Sequence, residues 1–121
     1  MTIAFIGHGY VGLVTAAVFA DLGNTVWVVG RTKEKIEKLK KGIVPFFEPG
    51  LSELVKRNLE AGRLLFTLEF KEAVAASTIV FVCVGTPPKT NGEADLTSVF
   101  SAAESIARAL VGYKIVVTKS T

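Results

Sequence analysis

Short apolar runs alternate along this chain with longer segments that mix apolar, small and charged residues. The apolar runs are rich in Val, Ile and Phe and have the length of buried strands. They predict strands at residues 2–6, 25–29, 64–67, 78–84 and 114–118. The longer segments predict helices at residues 10–22, 32–41, 51–60, 69–76 and 96–110. Two stretches that contain Gly and Pro are predicted to be loops, at residues 42–50 and 85–92.

Each predicted strand is a continuous apolar run, and helical sequence separates it from the next one. Continuous runs are typical of strands that are covered on both faces, as in parallel sheets. The sequence therefore predicts an α/β fold with a parallel sheet between two layers of helices. No internal repeat or domain-sized linker is visible, so residues 1–121 are expected to form one domain.

The composition excludes several classes of protein. Of the 121 residues, 50% are hydrophobic and 21% are charged, which is typical of a globular domain and not of a disordered chain. The lone cysteine, Cys83, cannot close an intrachain disulfide, which argues against a disulfide-stapled secreted domain. No uncharged apolar run reaches about 18 residues, and no basic residue precedes the first apolar run as in a signal peptide. We therefore expect a soluble cytoplasmic domain with no membrane partner.

The positive charge is concentrated in one segment. The net charge is +3, and residues 31–41 alone carry six cations and two anions. One short cluster is typical of a solvated helix face. It lacks the spread of basic and aromatic groups with which proteins bind nucleic acids, so no nucleic-acid partner is expected.

The motif with the most informative context is G-H-G-Y-V-G at residues 7–12, between the first predicted strand and helix. G-x-G-x-x-G spacing in a strand–turn–helix is the fingerprint of dinucleotide-binding folds. In such folds Gly7 would permit the tight turn, Gly9 the approach of a pyrophosphate, and Gly12 close helix–strand packing. The helix N-terminus would present N–H groups to the phosphates. The fold is thus predicted to be a Rossmann-type doubly wound sheet of strand order 3-2-1-4-5.

The end of the second predicted strand lacks the acidic residue expected of an NAD site. That residue normally lies about 20 positions beyond the first glycine and accepts hydrogen bonds from the adenosine ribose. Here the position is Gly30, followed by Arg31 and Thr32. A carboxylate would repel a 2′-phosphate, whereas Arg31 and Lys33 would attract one. The residues leave NAD and NADP open, and equally leave open whether Arg31 contacts the cofactor or points into water.

The remaining candidate groups are assigned structural roles. His8 occupies a variable position of the glycine motif and is interpreted as a loop residue. Cys83 lies inside the fourth predicted strand, where a free cysteine is expected to pack. One histidine and one cysteine form no plausible ligand set, so no metal is expected. Glu48 is expected to cap the helix that begins near Leu51.

Four short segments stand at boundaries of the predicted elements. They are G-H-G-Y-V-G at residues 7–12, E-P-G-L at 48–51, V-G-T-P at 84–87 and K-S-T at 119–121. In this order they resemble the NAD-binding domain of the UDP-glucose/GDP-mannose dehydrogenase family, and the resemblance extends over the whole chain. Gly30 departs from the family's pattern, which has an aspartate at that position.

The resemblance implies an enzyme that oxidises the C6 alcohol of a nucleotide sugar to a carboxylate, with two hydride transfers to NAD. It implies a pyrophosphate site at Gly7, Gly9, Tyr10, Val11 and Gly12, to which the charge argument adds Arg31. It further implies that Lys35 contacts the adenosine ribose, and that the nicotinamide side is lined by Thr86 and Pro87. Thr121 corresponds to a threonine beside the active site that contacts the cofactor or a catalytic water, and it is the one candidate catalytic residue.

The family's nucleophilic cysteine lies in a G-x-C-F-P-K context that Cys83 does not match. We therefore expect a fragment of a longer, homodimeric enzyme, cut before a sixth strand, that binds cofactor without turning over a nucleotide sugar. Two alternatives stay open. One is an NADP-dependent β-hydroxyacid-type dehydrogenase, in which an N-R-T triplet resembles Gly30-Arg31-Thr32. The other is a non-enzymatic nucleotide-sensing module.

Overall fold

A computed structural model of the chain describes residues 1–119, which contain a five-stranded sheet. The strands are β1 (Thr2–Ile6), β2 (Thr25–Val29), β3 (Leu64–Thr67), β4 (Ile79–Val82) and β5 (Ile115–Thr118). They lie in the order β3-β2-β1-β4-β5, and every pair is parallel. The predicted α/β doubly wound sheet and its strand order are confirmed, and the carboxyl ends of all strands meet at one edge.

Helices within the described residues connect the strands. They are α1 (Tyr10–Asp21), α2 (Lys33–Lys40), α3 (Leu51–Glu60), α4 (Phe70–Ala76) and α5 (Thr97–Ala109). Their ends differ from the predicted ones by at most one residue, and the bounds of α3 are as predicted. Thr32 stands at the N-cap of α2 as predicted, but its side chain makes no capping hydrogen bond. It lines the cleft described below.

β4 is shorter than predicted, and this changes the position of Cys83. The ladder between β1 and β4 ends at the pair Ile6 and Val82, because Gly7 leaves the strand with a φ of +110°. The amide of Cys83 still donates to the carbonyl of Ile6 at 2.8 Å. The prediction that Cys83 lies inside the strand is wrong: it follows the strand, at the carboxyl edge of the sheet.

Two hydrophobic cores, one on each face of the sheet, explain why the strands are continuously apolar. Ile3 and Phe5 of β1 pack with α1, α2 and α3 on one face, and Phe5 stacks on Phe81 with ring centroids 4.8 Å apart. Ala4 and Ile6 point to the other face and pack with α4 and α5. Since successive side chains of a strand point to opposite faces, both sets must be apolar.

A polar cluster joins the C-terminal end of α1 to α3, at the opposite end of α1 from the glycine motif. Asp21 Oδ1 accepts hydrogen bonds from Arg57 Nη2 at 2.9 Å and from Asn58 Nδ2 at 3.2 Å. Asn58 is fully buried, and its Oδ1 accepts a hydrogen bond from Arg63 Nε at 3.1 Å. These bonds satisfy the amide of Asn58 and fix α3 against α1.

The outer strand, β5, leaves an apolar surface exposed. Ile115 is 44% exposed and Val116 is 47% exposed, in contrast to the buried residues of β1. Phe100 on α5 and Tyr113 before β5 are exposed as well. Among the described residues, no helix has the length and apolar character needed to cross a bilayer.

Candidate nucleotide-binding cleft

A cleft of about 760 Å³ opens at the carboxyl edge of the sheet. In open α/β sheets this edge is where ligands bind, at the point where the strand order reverses. Here the order reverses between β1 and β4, which share the centre of the sheet. The cleft is walled by the ends of the strands, the start of α1 and one face of α5.

Most of the predicted cofactor-binding residues come together in this cleft. Its lining includes Gly7, Gly9, Tyr10, Val11, Arg31, Lys35 and Thr86. Gly12 and Pro87 are not among the lining residues. The candidate catalytic residue, Thr121, lies outside the described residues.

The three motif glycines have different surroundings. A β-carbon on Gly7 would lie 2.7 Å from the carbonyl oxygen of Cys83, and one on Gly12 would lie 2.7 Å from the carbonyl oxygen of Gly7. Either contact is shorter than packed atoms allow. A β-carbon on Gly9 would meet nothing within 4 Å, because Gly9 faces the open cleft as the N-cap of α1. The first and third glycines are therefore needed by the protein's own packing, and the second leaves space free.

The electrostatic character of the cleft is positive. Among the described residues that line it, Arg31, Lys35 and Lys119 carry charge and none is Asp or Glu. The guanidinium of Arg31 donates a hydrogen bond to Ser98 Oγ of α5 at 3.2 Å, so this side chain reaches across the mouth of the cleft. The start of α1 adds the positive end of the helix dipole and its free N–H groups. The arrangement suits a polyanion such as a pyrophosphate.

The imidazole of His8 lies beside Gly30, at the end of β2. A β-carbon on Gly30 would lie 2.6 Å from His8 Cδ2. Burial lowers the pKa of His8, outweighing a hydrogen bond to its own backbone that raises it, and the charge of Lys35 lowers the pKa further. The ring is therefore neutral at pH 7 in the absence of an anion, with one nitrogen that donates and one that accepts.

The loop between α2 and α3 is attached to the start of α1. Tyr10 Oη donates a hydrogen bond to Glu48 Oε2 at 2.8 Å, and the rings of Tyr10 and Phe46 lie 5.4 Å apart. Accepting this bond, Glu48 raises the pKa of Tyr10. The expectation that Glu48 caps α3 is wrong, since Gly50 is the N-cap and no side chain caps that helix. The carboxylate is engaged by Tyr10 instead.

Cys83 is half-buried and lines the cleft. Burial raises the pKa of its thiol, and the charge of Lys119 offsets only part of that effect. A nucleophilic cysteine needs a lowered pKa and access, so this thiol is not activated. Within the described residues, no group of three or more His, Cys, Asp or Glu side chains could hold a metal ion.

Sequence reasoning missed the contribution of α5 to the cleft. Ser98, Ser101, Ala102 and Ser105 line it from this helix. Their spacing of three or four residues places small, mostly polar side chains on one helix face. A helix face of this kind in the sequence is a pattern that could have revealed the second wall.

The chain was compared with known families and with curated relatives. The model of the UDP-glucose/GDP-mannose dehydrogenase family, NAD binding domain, matches residues 1–121. UDP-glucose 6-dehydrogenase of Rhizobium meliloti (strain 1021) is 53% identical over 100% of this chain and 28% of its own length. UDP-glucose 6-dehydrogenase TuaD of Bacillus subtilis (strain 168) is 49% identical over 98% of this chain and 26% of its own length.

Solved structures give the same result for the fold. GDP-mannose dehydrogenase from Pseudomonas aeruginosa superposes with a TM-score of 0.96 and 38% identity, over 100% of this chain and 28% of that one. A UDP-glucose dehydrogenase from Pyrobaculum islandicum superposes with a TM-score of 0.93 and 41% identity, over 99% of this chain and 28% of that one. The chain thus spans little more than a quarter of the length of the proteins it resembles.

Proposed function

Because the chain belongs to the UDP-glucose/GDP-mannose dehydrogenase family and matches its NAD-binding domain, we propose that it is the cofactor-binding domain of a nucleotide-sugar dehydrogenase. UDP-glucose is the proposed substrate of the whole enzyme, since the curated relatives above are UDP-glucose 6-dehydrogenases. The proposed reaction converts UDP-glucose to UDP-glucuronate in two hydride transfers. Residues outside this chain would supply the sugar site and the nucleophile.

The observation that carries the proposal is the charge of the cleft. Its described lining holds cations and the start of a helix but no carboxylate, and Gly9 leaves open space in front of that helix. A dinucleotide fits this arrangement, because its pyrophosphate carries two negative charges that need N–H donors and little steric hindrance. When bound, its nicotinamide is the hydride acceptor of the reaction.

Roles for individual residues are proposed from this geometry together with the family resemblance. The backbone from Gly7 to Val11 would bind the pyrophosphate, while Gly12 allows α1 to approach the sheet. Lys35 would contact the adenosine ribose. Thr86 and Pro87 would line the nicotinamide side, and Thr121 would contact the cofactor or a catalytic water.

NADP is a second candidate cofactor, favoured by the residues at the end of β2. Gly30 offers no carboxylate to repel a 2′-phosphate, and Arg31 and Lys35 line the cleft beside it. The family supports NAD. We propose that this chain binds both dinucleotides and that Arg31 contributes more to NADP than to NAD.

Titration of the chain with NAD, NADP and ATP, followed by calorimetry, tests these proposals. We expect both dinucleotides to bind more tightly than ATP. Arg31→Ala should weaken NADP by about tenfold or more, as expected for the loss of a charge-assisted hydrogen bond, and NAD by much less. Lys40→Ala is the matched control, because it removes a cation of α2 that does not line the cleft.

Absence of dinucleotide binding would contradict the proposed function. Tighter binding of ATP than of either dinucleotide would favour the nucleotide-sensing module. The cytoplasmic location, the homodimer of the whole enzyme and the absence of nucleic-acid binding stay predictions.

A further inference from the structure

His8 and Gly30 fill the same small volume at the rim of the cleft. A β-carbon on Gly30 would lie 2.6 Å from His8 Cδ2, 3.0 Å from His8 Nε2 and 2.7 Å from Ile36 Cδ1. No side chain of any size can therefore be added at residue 30 while His8 and Ile36 stay in place. The imidazole occupies the space into which a residue-30 side chain would project.

The position of His8 and Gly30 in the cleft indicates which part of a dinucleotide they would face. In dinucleotide-binding folds, the group at the end of the second strand faces the adenosine ribose. Gly30 directly follows β2 and its amide donates to the carbonyl of Thr67, which fixes it at the edge of the sheet. His8 lines the cleft together with Arg31 and Lys35. The side chain that faces this part of the cleft is thus supplied by residue 8 and not by residue 30.

We propose that His8 is a cofactor-specificity residue, whose imidazole replaces the residue-30 side chain and hydrogen-bonds the substituent on C2′ of the adenosine ribose. This inference rests on the proposed function, since it presumes that the cleft binds a dinucleotide. It differs from that proposal by assigning recognition of the 2′ position to a residue of the glycine motif.

The chemistry of imidazole explains why His8 favours a 2′-phosphate over a hydroxyl. An aspartate only accepts hydrogen bonds and repels a phosphate, whereas an imidazole donates to it and gains strength when protonated. Arg31 and Lys35 line the same cleft and supply further positive charge. Arg31 and Lys35 would thus supply the charge at the 2′ position, and the imidazole of His8 would supply a hydrogen-bond donor.

Three substitutions at residue 8 separate recognition from packing. His8→Leu fills the space without a hydrogen bond, His8→Ala empties it, and His8→Asn keeps a donor and an acceptor. Binding constants for NADP and NAD are measured for each by calorimetry, and circular dichroism establishes that each variant is folded. In His8→Leu and His8→Ala we expect the preference for NADP over NAD to fall about tenfold, as for a lost hydrogen bond to a charged group. His8→Asn should retain part of it and remains informative if His8→Leu fails to fold.

A second set of variants tests the exchange between the two positions. Gly30→Asp alone should weaken both cofactors, because its side chain collides with the imidazole. His8→Ala/Gly30→Asp/Ile36→Val removes both obstacles and should bind NAD better than NADP. The double variant His8→Ala/Gly30→Asp completes the cycle, and the effects of its two changes should fail to add, as is usual for residues in direct contact.

The outcomes distinguish this inference from the function on which it rests. If the unaltered chain binds neither dinucleotide, both proposals fail. If it binds them but all three variants at residue 8 leave the NADP-to-NAD ratio unchanged, His8 only packs there, and the inference alone is overturned. Additive effects of His8→Ala and Gly30→Asp would likewise overturn it.

Discussion

At the scale of single residues, the glycines of the motif differ in their surroundings: two are closely packed and one faces open space. Gly7 and Gly12 are close to other backbone atoms, so that each permits the turn and the helix to approach β4. Gly9 has free space in front of it, which the proposed pyrophosphate would occupy. Identical residues in one short motif thus have different roles: the fold requires Gly7 and Gly12, and the proposed ligand requires Gly9.

Alanine substitutions should separate these reasons. Gly7→Ala places a β-carbon at a φ of +110° and against a carbonyl, and we expect it to cost about 2 kcal/mol or more in the free energy of unfolding. Gly9→Ala adopts its native φ of −72° without strain and should unfold within a few degrees of the unaltered chain. It should nevertheless lose at least about tenfold in dinucleotide affinity, because its methyl group enters the pyrophosphate space.

Thermal unfolding and calorimetric titration of the two variants provide the measurements. Normal cofactor binding by Gly9→Ala would show that the free space before α1 is not the pyrophosphate site. Gly23→Ala, at the other end of α1, is the control for strain alone. It has a φ of +103° and open space around it, so it should destabilise the chain without affecting the cleft directly.

At the scale of elements, the two ends of α1 have different surroundings. Its start lines the cleft, and its last residue, Asp21, accepts hydrogen bonds from Arg57 and Asn58 of α3. These bonds hold the pKa of Asp21 below its ordinary value of 3.8, with the bond from Arg57 as the largest cause. The same bonds therefore connect the stability of the α1–α3 contact to pH.

The sign of this connection follows from the direction of the shift. A carboxyl group whose pKa is lowered on folding stabilises the fold above its unfolded pKa, and that contribution is lost as the pH falls through the folded value. We expect Asp21→Asn to melt at a lower temperature than the unaltered chain at pH 7. The difference should shrink as the pH falls below about 4.

Thermal melts between pH 7 and pH 3 would measure it. The matched control is Glu53→Gln, which neutralises an exposed carboxylate of α3 that forms no ion pair within residues 1–119. A constant difference across this range for Asp21→Asn would mean that the carboxylate does not stabilise the contact through its charge.

A strand or helix was predictable from sequence where its own residues determine where it begins and ends. β1 and β2 each consist of one uninterrupted run of mostly apolar residues. Their bounds were therefore predicted without error. The end of β4 was not predictable in this way, because it is fixed by its partner: β1 stops at Ile6. The contact of His8 with Gly30 depends likewise on two strands that lie side by side, which no single segment reveals.

At the scale of the whole molecule, the chain corresponds to little more than a quarter of the length of its relatives. The exposure of its apolar side chains differs from one side of the sheet to the other. The faces of β1 and β2 are covered by helices, whereas β5 and the nearby side chains of Phe100 and Tyr113 are exposed. Exposed apolar side chains of this kind are common at interfaces between protein parts.

The proposed function assigns cofactor binding to this chain and the sugar site to residues outside it. It therefore predicts that the chain binds a dinucleotide without catalysis. The chain should bind a dinucleotide yet produce no NADH or NADPH from UDP-glucose, because the sugar site is proposed to lie in residues outside it. Its one thiol is half-buried and has a raised pKa, so it would not support the second oxidation either. Absorbance at the wavelength of the reduced cofactor would measure the reaction. The full-length Rhizobium meliloti relative is the positive control, and reduction of the cofactor by the 121-residue chain alone would contradict the prediction.

The placement of Cys83 has a practical consequence for work on this cleft. It is the one cysteine of the sequence. It lies beside the glycine turn, since a β-carbon on Gly12 would lie 3.2 Å from Cys83 Cβ. A fluorine label attached to this sulfur would therefore sense the turn and the occupancy of the cleft. Within these 121 residues no other thiol would have to be introduced or removed, so the chain has a single site for a spectroscopic label.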